Sequence, residues 1–268
     1  MRSWMGWWCN GKKRGEQQME DISRILNNWE FNAEDICVRK IVGQDGREKL
    51  QVRVDLGMLQ MNLDGRPDGT RPHGKESLLH HFRRKARKHQ AETEDPLQLT
   101  EEDCDVLGQE SLQYYHRYVC LLRLGDYDRV ITDTLHNLAI FDLVTESSTT
   151  DEEKMLFEQY RPYVTMINTR AQGELRLLEE DYDGALKIID EGITNIEEML
   201  DEYEEFESPE DSEEIYALQT WREEITRSRP ITLKQRLAQQ LQEAIAEEKY
   251  ERAATLRDRL EGLEKKRF

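Results

Sequence analysis

No run in this sequence approaches the roughly 18 consecutive apolar residues that a membrane-spanning helix needs. With 37% hydrophobic residues against 35% charged and a mean hydropathy of −0.86, the composition is too polar for a membrane protein. Cysteine is scarce. Cys9, Cys37, Cys104 and Cys120 show no CxxC spacing and no neighbouring histidine pair. That argues against a disulfide framework or a zinc site, and for reduced thiols in a cytoplasmic setting. The fingerprints of common catalytic and cofactor sites are missing too: there is no P-loop, GxSxG, HExxH or dinucleotide-binding glycine pattern. These absences point away from an enzyme and imply no cofactor.

What is present is a strongly uneven charge. Residues 1–90 hold 18 Lys/Arg against 12 Asp/Glu, a net of +6, whereas residues 91–230 carry −26 and residues 231–268 return to +2. A chain with a total of −18 repels nucleic acid as a whole, although its basic first third need not. Recurrent Leu, Ile, Val and Tyr exclude disorder throughout, and the 268 residues suffice for one large domain or two to three small ones. Residues 1–18 are foreign to this pattern. Their apolar stretch, Trp4 to Cys9, is too short for a signal peptide, and the Lys12–Arg14 cluster lies on the wrong side of it. They read as a disordered tail; a tryptophan-rich docking peptide is the alternative.

Periodicity then divides the chain. A short helix is expected near Ile22–Leu26, and from Ile36 the period changes to two. Asp45-Gly46 supplies the hairpin turn signal, and Leu50, Val52, Val54 and Leu56, then Leu59, Met61 and Leu63, alternate on either side of Gly57. The expectation is a three-stranded antiparallel meander within a small α+β domain over 19–90. The loop Asp64–Gly74 is irregular. A helix from Ser77 to His89 follows, with Leu78, Leu79, Phe82 and Ala86 on one side and Arg83, Arg84, Lys85, Arg87 and Lys88 on the other.

Helices are expected from Thr100 onward. One carries Leu107, Tyr114, Tyr118, Leu121 and Leu122 and ends at Gly125-Asp126. The next carries Tyr127, Val130, Ile131, Leu135, Leu138 and Phe141. Thr150 and Glu153 form a capping-box pattern, Pro162 should kink or divide the helix it enters, and Ser208-Pro209 should end the fourth. Residues 197–214, with eleven carboxylates and no basic residue, lead into an acidic linker and helix over 207–230.

Two segments match one another: RLGDYDRVITDTL at 123–135 and LEEDYDGALKIID at 178–190. Each sets a Tyr just past a helix–helix turn and a small or β-branched residue three positions later. This resembles the tetratricopeptide repeat, with Gly173 at a position where that family keeps a small residue, although the 55-residue spacing departs from the family's 34. Residues 97–206 are therefore expected to form helical hairpins of repeat-like design, either as plain packing or as a concave peptide-binding groove.

The last segment, 231–268, has Leu233, Leu237, Leu241, Ala244 and Ile245 as one apolar stripe. Tyr250, Ala253, Ala254, Leu256, Leu260 and Leu263 form a second stripe, across a turn at Glu247–Lys249. The run Tyr250-Glu251-Arg252-Ala253-Ala254-Thr255-Leu256-Arg257-Asp258 resembles the UVR motif. That motif occurs in subunits B and C of the bacterial excision-repair nuclease, in some Clp-type unfoldases and in an adaptor of theirs. The adaptor's zinc-binding CxxC pairs are absent here. The resemblance implies a two-helix hairpin that pairs with another UVR hairpin or a helical surface, or with a second copy of itself. Its partner-binding residues would be Leu237, Leu241, Ile245, Tyr250, Ala253, Leu256, Arg257 and Leu260. From the meander through GRPDG-x-RPHG to its end, the chain also resembles a bacterial family that carries this motif and has no assigned activity. Two helices alone are not expected to cover both stripes, so the hairpin should need a further surface, in cis or in trans.

Two other sites remain candidates. Arg66, Arg71 and His73, beside flexible glycines, could hold an anion or simply clamp the loop. Arg83, Arg84, Lys85, Arg87 and Lys88 could contact nucleic acid or form a solvated face. The sequence thus predicts a predominantly α, α+β protein acting as a protein–protein scaffold, with a nucleic-acid accessory role as the alternative and an enzyme using the 64–74 loop as the third reading.

Overall fold

The computed structural model describes residues 21–93, 95–148, 150–202, 208–230 and 233–264. The stretch read as a disordered tail lies outside these residues, as does 203–207 of the acidic segment. The fold is α+β and predominantly helical, with one three-stranded antiparallel sheet in the order β1-β2-β3. It divides into two compact units. The first runs to Leu97 and takes in Asp105–Asp126; the second comprises Gln98–Cys104 and continues from Tyr127.

The first unit contains α1 (Ser23–Asn27), β1 (Val38–Val42), β2 (Glu48–Val54), β3 (Gly57–Asn62), α2 (Leu78–Thr93) and most of α3 (Glu101–Arg123). Val42 pairs with Glu48 across the β1–β2 connection, where Gly46 takes a φ of +73° as the Asp-Gly signal requires. Leu50, Val52 and Met61 are buried and pair or neighbour across β2 and β3. The alternation expected to continue through Leu56 stops earlier. Val54 pairs with Gly57, which leaves Leu56 in a two-residue turn and 91% exposed. No glycine or proline at Asp55-Leu56 marks that turn. The other sheet face carries a polar ladder in which Arg39 donates to Gln51 (3.0 and 2.8 Å) and Gln51 donates to Gln60 (2.9 Å). Trp29 lies against the Arg39 guanidinium.

Leu78, Leu79 and Phe82 bury one side of α2. Its first turn is capped from a distance: the fully buried Glu110 carboxylate of α3 accepts the backbone N–H groups of Leu78 (2.8 Å) and Leu79 (3.1 Å). These groups have no partner within the helix, and a negative charge is favoured at a helix N-terminus. Thr100 caps α3, its hydroxyl accepting the N–H of Asp103.

The second unit holds α4 (Tyr127–Ser147), α5 (Asp151–Glu158), α6 (Arg161–Leu178), α7 (Tyr182–Glu202), α8 (Glu213–Ser228), α9 (Leu233–Ala246) and α10 (Tyr250–Glu264). Thr150 caps α5, Pro162 stands in the first turn of α6 and separates it from α5, and Ser212 caps α8. On α4 the inward face differs from the expected one. Leu135 is 52% exposed, and Val130, Asp133, Thr134, Asn137, Ile140 and Phe141 are buried. Thr134 fits there because it has partners: it donates to the Val130 carbonyl (2.8 Å) and accepts from Asn168 of α6 (2.8 Å).

The matched segments close their turns alike. At the first, Asp126 N–H donates to Leu121 O and Gly125 N–H to Leu122 O; at the second, Asp181 N–H donates to Arg176 O and Glu180 N–H to Leu177 O. Gly125 and Glu180 both sit in the left-handed region, at φ +70° and +59°. This is the double bond pattern that ends a helix on a left-handed residue. Gly173 faces α8. A Cβ there would lie 2.5 Å from the ring of Trp221, so this glycine admits an α8 tryptophan. Ile189, Ile196, Leu200, Ile215, Leu218, Trp221 and Ile225 form the core that joins α7 to α8.

Candidate docking site

The α9–α10 hairpin is built around a third turn of the same design. Lys249 N–H donates to Ala244 O (2.8 Å), Glu248 N–H donates to Ile245 O (3.0 Å), and Glu248 takes a φ of +58°. Tyr250 then opens α10, with Ala253 three residues on, as Tyr182 and Ala185 open α7. The sequence carries this likeness in EDYDGA and EKYERA, but a Lys for Asp exchange and the lack of glycine hide it.

Leu237, Ala244, Ala253 and Leu256 form the hairpin's buried cluster, with Leu241 and Leu260 packed half-buried against it. In the described part of the hairpin the stripes are covered in part, and Ile245, Tyr250 and Ala254 stay exposed. Ala244 and Ala253, 1% and 8% exposed, let the two helices approach closely. The expected docking residues divide accordingly. Leu237, Ala253 and Leu256 are spent inside the hairpin. Ile245, Tyr250 and Arg257 face outward, Ile245 at 53% and Tyr250 at 68% exposed. These two large apolar side chains bracket the turn, so among the described residues the large apolar surface left open lies at the turn end. Charges surround it: Lys249 pairs with Glu247 at 2.8 Å, and that hydrogen bond holds the Glu247 carboxyl below its ordinary pKa.

The loop proposed for anion binding is arranged differently. Arg66 points its Nε toward Asp68 (3.3 Å) and the buried Glu110 (3.5 Å), and buried Arg117 donates to the carbonyls of Asn62 (2.8 Å) and Gly65 (2.7 Å). Arg66 is thus part of the clamp that holds the loop against α3. Arg66 and Arg71 line a cleft of about 390 Å³ together with Glu48, Asp64 and Glu76, whose carboxylates offset the arginines. His73 is not among its lining residues and stacks on His81 with ring centroids 4.1 Å apart. Among the described residues no group of three or more His, Cys, Asp or Glu side chains could hold a metal ion. No helix among them is long and apolar enough to cross a membrane.

Arg83, Arg84, Lys85, Arg87 and Lys88 all lie exposed on α2. Lys88 pairs with Glu92 (3.7 Å) and Lys85 lies over the Phe82 ring.

In comparisons with known proteins, residues 232–266 match the family described as the UvrB/uvrC motif, which covers the hairpin and little else. No curated protein and no solved structure matches the chain.

Proposed function

We propose, with the UvrB/uvrC motif of residues 232–266 as premise, that this chain is a non-enzymatic adaptor whose α9–α10 hairpin docks onto a helical surface of a partner protein. A repair-nuclease subunit, a Clp-type unfoldase and a second copy of the chain are the partners the motif suggests. The observation that carries the reading is the exposure of Ile245 and Tyr250 beside a hairpin core that is already closed. Large apolar and aromatic side chains held on a rigid frame are the groups that anchor protein interfaces. Two exposed side chains beside the turn offer a small knob, which suits a transient contact better than an obligate one. The commitment of Arg66 to internal pairs supports the non-enzymatic side of the reading.

The test is affinity capture from the native host with three baits: the intact chain, residues 1–230, and the double variant I245E/Y250E. The intact chain should retain a partner that both altered baits lose, with affinity falling at least about tenfold for the double variant, as truncated interface anchors typically do. Retention of the same partners by residues 1–230 would overturn docking through the hairpin.

A further inference from the structure

We infer that the exposed face of α2 binds the phosphate backbone of double-stranded nucleic acid without reading its sequence. Residues 78–93 carry five Arg/Lys and a single acidic residue, Glu92, and Glu92 pairs with Lys88 alone. Among the described residues Arg83, Arg84 and Arg87 have no ion-pair partner, although the first unit is rich in paired cations such as Lys40–Asp126 and Arg123–Asp35. The cations form two like-charged i, i+4 pairs, Arg83 with Arg87 and Arg84 with Lys88. Side chains so placed stand about 6 Å apart and repel one another, so the arrangement works against the isolated helix. The face is held firmly: Leu78, Leu79 and Phe82 are buried beneath it, and Glu110 fixes its first turn.

The chemistry of the face selects the partner. Guanidinium groups grip phosphate and carboxylate oxygens in pairs, which leaves two kinds of partner, a nucleic acid or an acidic protein segment. A protein interface needs an apolar or aromatic centre, yet none of the exposed large hydrophobic residues lies between Leu78 and Thr93. Binding through charge alone is what a phosphate backbone accepts. The same lack of exposed aromatic rings removes the stacking platform that single strands use, so a duplex is the better fit. Affinity from about four phosphate contacts is modest, with a Kd on the order of 10⁻⁴ to 10⁻⁶ M at physiological salt.

The experiment is fluorescence anisotropy of the full chain with a labelled duplex of about 20 base pairs, titrated across a range of salt concentrations. The expected slope of log K against log salt is about −3 to −4 for the wild type. R83Q/R84Q/R87Q should bind at least about tenfold more weakly at low salt and lose about three units of slope. R222Q/R227Q on α8 should behave as wild type. No binding at low salt, or an unchanged slope in the α2 triple variant, overturns the inference. So does a synthetic peptide of residues 197–214 that binds more tightly than the duplex and is lost in the same triple variant, because the face would then serve an acidic protein segment. A single strand that binds better than the duplex would overturn the choice of ligand. None of these outcomes depends on the hairpin.

Discussion

Glu158 on α5 holds three helices at one point. Its carboxylate accepts from Arg161 of α6 (Nη2–Oε1 2.7 Å) and from the Thr145 hydroxyl of α4, and Arg161 also donates to Asp142 of α4 (2.8 Å). The Glu158 side chain is 3% exposed. Burial works to raise its pKa, but the hydrogen bonds from Arg161 and Thr145 outweigh burial and hold the carboxyl below the ordinary 4.5. A depressed folded-state pKa contributes stability that is complete above the unfolded value and is lost as pH falls through the folded one. E158Q should therefore cost about 2–3 kcal/mol at neutral pH, the worth of a buried hydrogen bond to charge. The deficit should shrink below about pH 4.5. Urea unfolding of both proteins at neutral and acid pH measures it, and a pH-independent difference would show that the charge is immaterial. Cys120 illustrates the opposite balance. Burial alone pushes its thiol up to about 11, which removes it from nucleophilic chemistry near neutrality.

At the scale of elements, the three helix turns invite a comparison that the protein itself sets up. Glycine occupies the left-handed position in the first, whereas glutamate occupies it in the second and third, at φ +59° and +58°. A side chain in that region costs on the order of 1 kcal/mol that glycine avoids. E180G and E248G should each raise stability by about 0.5–1 kcal/mol, seen as a higher urea midpoint, and G125A should lower it by a similar amount. Such features were legible because their chemistry is local: Thr150 as a cap, Pro162 as a divider, Gly46 and Gly125 in turns. The inward face of α4 was not. A helix period says that a face exists, but Thr134 goes inward because Asn168, 34 residues later, meets it there. At the hairpin the two stripes were legible as stripes. Which residues stay open was not, because it depends on how closely Ala244 and Ala253 let the helices approach.

For the molecule as a whole, the question is whether the hairpin is an appendage or a brace. Among the described residues the buried cluster of α9 and α10 draws only on those two helices, and the neighbouring core draws on α7 and α8. Between them the chain passes Arg229 and Pro230, where the α8 pattern stops. Two cores in series along one chain, each closed by its own residues, should unfold separately. Residues 1–230 should then keep the main thermal transition of the intact protein to within about 2 °C, because less than about 1 kcal/mol of that core's stability would come from the hairpin. Far-ultraviolet circular dichroism should lose no more than the helical signal of α9 and α10, 14 and 15 residues long. Scanning calorimetry of both proteins decides it. A midpoint lowered by more than about 5 °C would mean that the hairpin braces the body. Loss of a partner on truncation would then be ambiguous, and docking would rest on I245E/Y250E alone, whose exposed positions leave both cores intact.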